Sequence, residues 1–157
     1  VKRFVLALMF DPSLKKAVLI RKVRPDWMAG RFNVVGGHIE DETALDAACR
    51  EFREETGVAT ELADWHPFLT LVRHGGDETC YLECFWAISE RIDAVKSVTD
   101  ELIAVLDIQS LVSRGDIVED TLWIIMMGLE AARRDNNSYF TVITVDDESP
   151  ETPWQSL

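Results

Sequence analysis

The sequence predicts a mixed α/β sandwich, and three observations carry that prediction. Apolar runs of strand length recur along the chain, at Phe4–Phe10, Lys16–Lys22, Phe68–Arg73 and Thr79–Ile88. Two segments, Thr43–Thr56 and Thr121–Arg134, switch to helical periodicity. Several strands follow one another at turn distance, and tight hairpins give antiparallel neighbours. The sheet should therefore be mixed rather than doubly wound and parallel. A chain of 157 residues has the length of one domain and buries a core without disulfides or a structural metal.

Taken in order, Phe4–Phe10 is apolar until Asp11 stops it. It is too short to span a bilayer and no small-residue cleavage site follows, so it reads as a strand of a soluble, cytoplasmic protein. Asp11-Pro12-Ser13 is a turn sequence leading into the strand Lys16–Lys22. Arg24–Arg31 reads as a loop and Phe32–Val35 as a short strand ending at Gly36-Gly37. Thr43 is placed to cap the first helix, with Asp46 three residues on and Gly57 where a helix end takes a left-handed residue. Strands are expected at Thr60–Leu62, at Phe68–Arg73 and Thr79–Ile88 as a hairpin across Gly75-Gly76, and at Ile103–Leu106. Thr121–Arg134 is the second helix, with Glu119 and Asp120 before it and Arg133 and Arg134 in its last turn, as the helix dipole favours. Its run Leu122–Met127 has no polar face, which predicts burial on most sides. Phe140–Val145 is a last strand, closing a domain over residues 1–145. An acidic tail with two prolines, Asp146–Leu157, follows.

Sixteen basic and 28 acidic residues give a net charge of −12. Such a surface should repel phosphate backbones and anionic lipid. The expectation is no nucleic-acid polymer and no membrane as partner, while acidic sites that need cations stay open. Cys49, Cys80 and Cys84 are odd in number and lack metal-ligand spacing, so they read as reduced thiols.

Chemistry concentrates in residues 36–58. On the first helix Leu45, Ala48, Cys49 and Phe52 share an apolar stripe. Glu51, Glu54 and Glu55 sit on the adjacent flank at i, i+3 and i+4. Like charges at that spacing repel by about 0.2–0.5 kcal/mol per pair. Converging carboxylate oxygens are also what Mg²⁺ or Mn²⁺ binds, and such an ion turns the repulsion into binding.

The wider pattern is Gly36, five residues, Glu42, seven residues, Arg50-Glu51-Phe52, one residue, Glu54-Glu55, one residue, Gly57-Val58. It resembles the signature of Nudix hydrolases at every fixed position. Seven such identities coincide by chance at a given start with odds below roughly one in 10⁸. The resemblance implies an α/β/α sandwich with a mixed sheet, and Mg²⁺- or Mn²⁺-dependent hydrolysis of a nucleoside diphosphate linked to another moiety. It implies metal ligands at Glu51, Glu54 and Glu55, with Glu54 or Glu51 taking the proton of the attacking water. Arg50 would orient these carboxylates and pair with Glu42. Gly36 or Gly37 would bring a backbone carbonyl to the metal, and Gly57 would close the helix. Only Gly36 gives the five-residue spacing, and Asp41 stands where relatives often carry a glycine.

Residues outside the motif fill out the expectation. Of the pair Asp100-Glu101, Glu101 is the leading candidate for a further acidic ligand or base. Arg21 and Arg24 are candidates for the substrate phosphates, Asn33 for a base edge, and Phe32, Trp27 or Trp86 for stacking. His38 reads as a solvated loop residue. The family resemblance also implies a small-molecule nucleotide as substrate and a homodimer; the apolar second helix and the aromatic-rich hairpin are the candidate interface, and the same residues equally account for a core. No subclass tag downstream names the nucleotide. The alternative is a non-catalytic nucleotide-binding or regulatory member; such proteins usually lose motif glutamates, all of which this chain keeps.

Overall fold

A computed structural model describes residues 1–75, 77–134 and 139–145. Gly76 of the expected hairpin turn and the tail Asp146–Leu157 lie outside the described residues. The strands are β1 (Lys2–Phe10), β2 (Lys16–Arg21), β3 (Phe32–His38), β4 (His66–Gly75), β5 (Glu78–Ile88), β6 (Leu102–Asp107) and β7 (Phe140–Val145). The helices are α1 (Ala44–Thr56), α2 (Ile108–Leu111) and α3 (Thr121–Arg133). The strands form one sheet in the order β6-β2-β3-β1-β5-β4-β7. The pairs β1–β5 and β4–β7 are parallel and the other neighbours antiparallel, so the sheet is mixed.

The central strand β1 explains the layering. Phe4, Leu6, Leu8 and Phe10 point into one core, packed with Ile124, Ile125 and Leu129 of α3. Val5, Ala7 and Met9 point into a second core with Ala47, Ala48 and Phe52 of α1. A strand apolar at every position is what a sheet covered on both faces requires. The result is an α/β/α sandwich.

Several local expectations are corrected. Strand β3 does not stop at Val35. It runs through Gly36 and Gly37 to His38, because these residues pair with Leu6, Val5 and Phe4 of β1. Strands β1 and β2 share only the Phe10–Ala17 pair, since β3 inserts between them. The carboxylate of Asp11 accepts the backbone N–H groups of Ser13, Lys15 and Lys16, which fixes the turn between them. Thr60–Leu62 is not a strand. Leu62–Asp64 is a 3₁₀ turn closed by reciprocal capping between Glu61 and Asp64, and the Trp65 indole donates to Thr60 Oγ1 at 2.8 Å. The loop Arg24–Arg31 contains a second 3₁₀ turn, Asp26–Met28. Helix α3 is less enclosed than its all-apolar run predicts. It lies on one face of the sheet, so Met126 is 44% exposed. Asp120 precedes α3 without capping it, because its carboxylate accepts from Arg73 and from the Trp123 indole.

The expected caps of α1 are present. Thr43 Oγ1 accepts the Asp46 N–H at 3.1 Å, and Gly57 adopts a left-handed φ of 74°. No helix among the described residues is long and apolar enough to cross a membrane.

Candidate functional site

Helix α1 is held against the sheet by its small face. Ala44, Ala47 and Ala48 allow close approach, and Phe52 is fully buried. That anchoring turns Arg50, Glu51, Glu54 and Glu55 toward the end of β3.

Arg50 is the hub of this cluster. Its Nε and Nη2 donate to Glu42 Oε1 at 3.0 and 2.6 Å. Nη1 donates to Glu51 Oε1 at 2.7 Å and to Glu54 Oε2 at 3.2 Å, and Nη2 also donates to the His38 carbonyl at 2.9 Å. A planar guanidinium with five N–H groups is the side chain that can serve three carboxylates and a carbonyl at once. The Arg50 hydrogen bonds hold the Glu42 carboxyl below its ordinary range. Burial pushes the Glu51 carboxyl up, against the pull of Arg50 and with the help of the Glu54 charge.

The two glycines serve different contacts. A Cβ at Gly37 would stand 2.5 Å from Glu51 Oε2 and closer to the rest of that carboxylate. Gly37 therefore makes the floor on which Glu51 lies. A Cβ at Gly36 would overlap the Val5 backbone carbonyl and touch Leu6 Cδ2 at 3.0 Å, so Gly36 is required by the β1–β3 ladder.

A second group of acids meets a second cation. Glu101, 5% exposed, accepts from Lys22 Nζ at 2.7 Å and from the Val23 N–H at 2.9 Å. Thr99 Oγ1 accepts the Glu101 N–H and donates to Glu55 Oε2, both at 3.1 Å, which ties the two acids together. Burial pushes the Glu55 carboxyl up; the charges of Glu101 and Glu51 push the same way, and Lys22 opposes them.

Among the described residues no three His, Cys, Asp or Glu side chains converge into a metal-holding group. The physical reason is visible in the bonds: Arg50 draws Glu51 and Glu54, while Lys22 draws Glu101. The donor set nonetheless suits a hard divalent cation. It offers carboxylate oxygens, and at Glu51 and Glu55 burial, with neighbouring carboxylate charges adding to it, pushes the carboxyls up, a cost that an added cation would lower.

Beside this acidic wall lies a pocket of about 350 Å³ between the end of the sheet and α3. Lys22, Arg24, Gly37, Phe4, Asn33 and Thr121 are among the residues that line it. Asn33 is buried, and its Oδ1 accepts from Thr121 Oγ1 and from the Val34 N–H, both at 2.8 Å. The segment before α3 is brought here by β3: Phe32 N–H donates to the Asp116 carbonyl and Val118 N–H to the Phe32 carbonyl.

The other expected residues are dispersed. Arg24 lines the pocket but is exposed and ion-paired with Asp100 at 2.6 Å. Arg21 donates to the Gly30 carbonyl at 3.1 Å and lies over the Phe32 ring, with Arg114 over the same ring. Phe32 is a core residue. Trp86 is buried with its ring 4.3 Å from that of His66. The His38 ring packs at a tilt against Phe4, with centroids 4.4 Å apart. Sequence reasoning missed Lys22, Thr99 and Thr121. The signal for Lys22 was its place at the end of β2, beside the two arginines.

A family model for the NUDIX domain matches residues 2–120. No curated protein sequence matches the chain. Among solved structures, the mutator MutT protein from Bacillus halodurans superposes with a TM-score of 0.68 at 15% identity, over 92% of this chain and 90% of that one. The NUDIX domain of Shewanella oneidensis NrtR, complexed with ADP ribose, gives 0.64 at 17% identity over 85% and 88%. Shewanella oneidensis NrtR complexed with a 27mer DNA gives 0.68 at 19% identity, over 84% of this chain and 62% of that one.

The NrtR–DNA complex corrects one expectation. A net charge of −12 does not exclude a nucleic-acid polymer as partner, because this fold occurs in a protein crystallised with DNA. A net charge is a sum over the whole chain, whereas a phosphate backbone meets a local surface.

Proposed function

The chain belongs to the Nudix family, and on that premise we propose that it hydrolyses a diphosphate linkage in a nucleoside diphosphate derivative with Mg²⁺ or Mn²⁺. The observation that carries this reading is the joining of the complete acidic motif, through Gly37, to a pocket of nucleotide scale. Glu51, Glu54 and Glu55 would hold the metal, with Glu101 beside them. Bound there, the ion would neutralise phosphate oxygens and lower the pKa of the attacking water. Arg50 fixes Glu51 and keeps Glu54 within reach, so these carboxylates are oriented before ligand arrives. Glu54, 57% exposed and among the described residues bonded only through Arg50 Nη1, is the carboxylate most free to take the proton of a water. Lys22 and Arg24 supply positive charge at the phosphate end. Asn33 and Thr121 offer polar groups to a base, and Phe4 an apolar wall.

The test is phosphate release from a panel of nucleoside triphosphates, ADP-ribose, dinucleoside polyphosphates and nucleotide sugars, with Mg²⁺ and with chelator. Glu54→Gln should lower turnover of the best substrate by about 10²–10⁴-fold with the fold unchanged. Near-wild-type turnover would remove α1 as the catalytic centre.

A second reading, a nucleotide-binding regulatory protein, is favoured by the dispersal of the acids between Arg50 and Lys22 and by the likeness to the NrtR domain bound to ADP ribose. Tight ADP-ribose binding without turnover of any panel member would select it.

A further inference from the structure

The acidic wall contains two resident cations that are held very differently. Arg50 makes hydrogen bonds to Glu42, Glu51, Glu54 and the His38 carbonyl, and its guanidinium is locked in place. Among the described residues Lys22 has one ion pair, to Glu101 Oε2. It sits on a flexible four-carbon stem, and it also lines the pocket. Glu101 keeps a second donor, the Val23 N–H, whether or not the ammonium is present. Through Thr99 it is tied to Glu55, so the Lys22 charge is felt by both acids.

We propose that Lys22 is an exchangeable counter-cation: it occupies Glu101 when no divalent ion is bound, and yields that carboxylate, moving toward phosphate in the pocket, when one binds. This rests on the metal-dependent reading of the same site. The exchange keeps Glu101 paired with a cation in both states. It also delivers a positive charge to the phosphate end of the pocket only when the metal is present. Lys22 and the ion therefore compete for one carboxylate, and removing the ammonium must raise affinity for the ion.

The experiment is titration of Mn²⁺ into the nucleotide-free full chain by calorimetry, with thermal melts in chelator and in millimolar Mn²⁺. Lys22→Met should bind Mn²⁺ at least about tenfold more tightly than wild type, the order of one charged hydrogen bond. Its melting temperature should fall in chelator and be raised by Mn²⁺ more than that of wild type, because the ion replaces the missing charge. Lys22→Arg, which keeps the charge, should bind no more tightly than wild type. Glu101→Gln in the Lys22→Met background should abolish the gain. If Lys22→Met proves too unstable to titrate in chelator, recovery of its fold by Mn²⁺ reads the same exchange, and failure to recover overturns it. Equal or weaker Mn²⁺ affinity in Lys22→Met, with wild-type binding intact, overturns the exchange and leaves the metal-dependent reading standing. Absence of Mn²⁺ binding in both proteins, with and without a non-hydrolysable nucleotide, overturns both.

Discussion

Replacing Arg50 by Gln removes the cation shared by Glu42, Glu51 and Glu54, and its cost follows from the burial of the partners. Arg50 is 27% exposed, Glu42 20% and Glu51 12%. This places the network between an exposed ion pair, at about 0–1 kcal/mol, and a buried one, whose breaking costs about 3–5 kcal/mol. A loss of roughly 2 kcal/mol is expected, with part of it arising from three carboxylates left to repel one another. In a chain of this size that lowers the melting temperature by about 4–8 °C. Glu42→Gln should cost less, about 1 kcal/mol, because Arg50 keeps Glu51 and Glu54. The double variant should cost less than the sum of the singles by about 1 kcal/mol, since both remove the same bonds. Urea denaturation in chelator measures all three. Saturating Mg²⁺ should restore part of the Arg50→Gln loss, because the ion supplies the missing positive charge. A loss below about 0.5 kcal/mol, the range of a plain surface substitution, or additive singles, would refute the hub.

The remaining expectations are more local. Gly36→Ala and Gly37→Ala should separate: the first strikes the Val5 backbone and should destabilise the sheet, while the second displaces the Glu51 carboxylate. Circular dichroism and Mn²⁺ titration distinguish them, with Gly37→Ala expected to stay folded and bind the ion more weakly. Thr121→Val leaves the buried Asn33 carbonyl short of a donor and should cost about 1–2 kcal/mol by urea denaturation. For pH, hydrogen bonds from Arg50 and Arg114 depress the carboxyls of Glu42 and Asp116 below their ordinary values of 4.5 and 3.8. A depressed folded-state pKa contributes stability that is complete above the unfolded value and lost as pH falls through the folded one. Melting temperature in chelator should therefore drop below about pH 4, and Glu42→Gln should flatten that drop; an unchanged slope would contradict it.

The sequence by itself determined the elements that rest on local rules. The Thr43 cap, the Gly57 terminus, the β4–β5 pairing and the both-faced apolar β1 depend on periodicity and on neighbours within a few residues. The motif glutamates were legible because one helix face fixes their spacing, and Arg50 pairs with Glu42 as the family resemblance implied. Tertiary structure decided everything that depends on a partner distant in sequence. The glycines belong to β3 because β1 lies alongside to pair with them, and they differ in role because successive residues of a strand face opposite layers. Asn33 meets Thr121 only because the segment before α3 folds onto β3. Lys22 and Glu101, 79 residues apart, meet because β2 and β6 are antiparallel neighbours that pair Arg21 with Leu102. No local pattern in the sequence encodes that pairing, and it is what puts an exchangeable charge between the acids and the pocket.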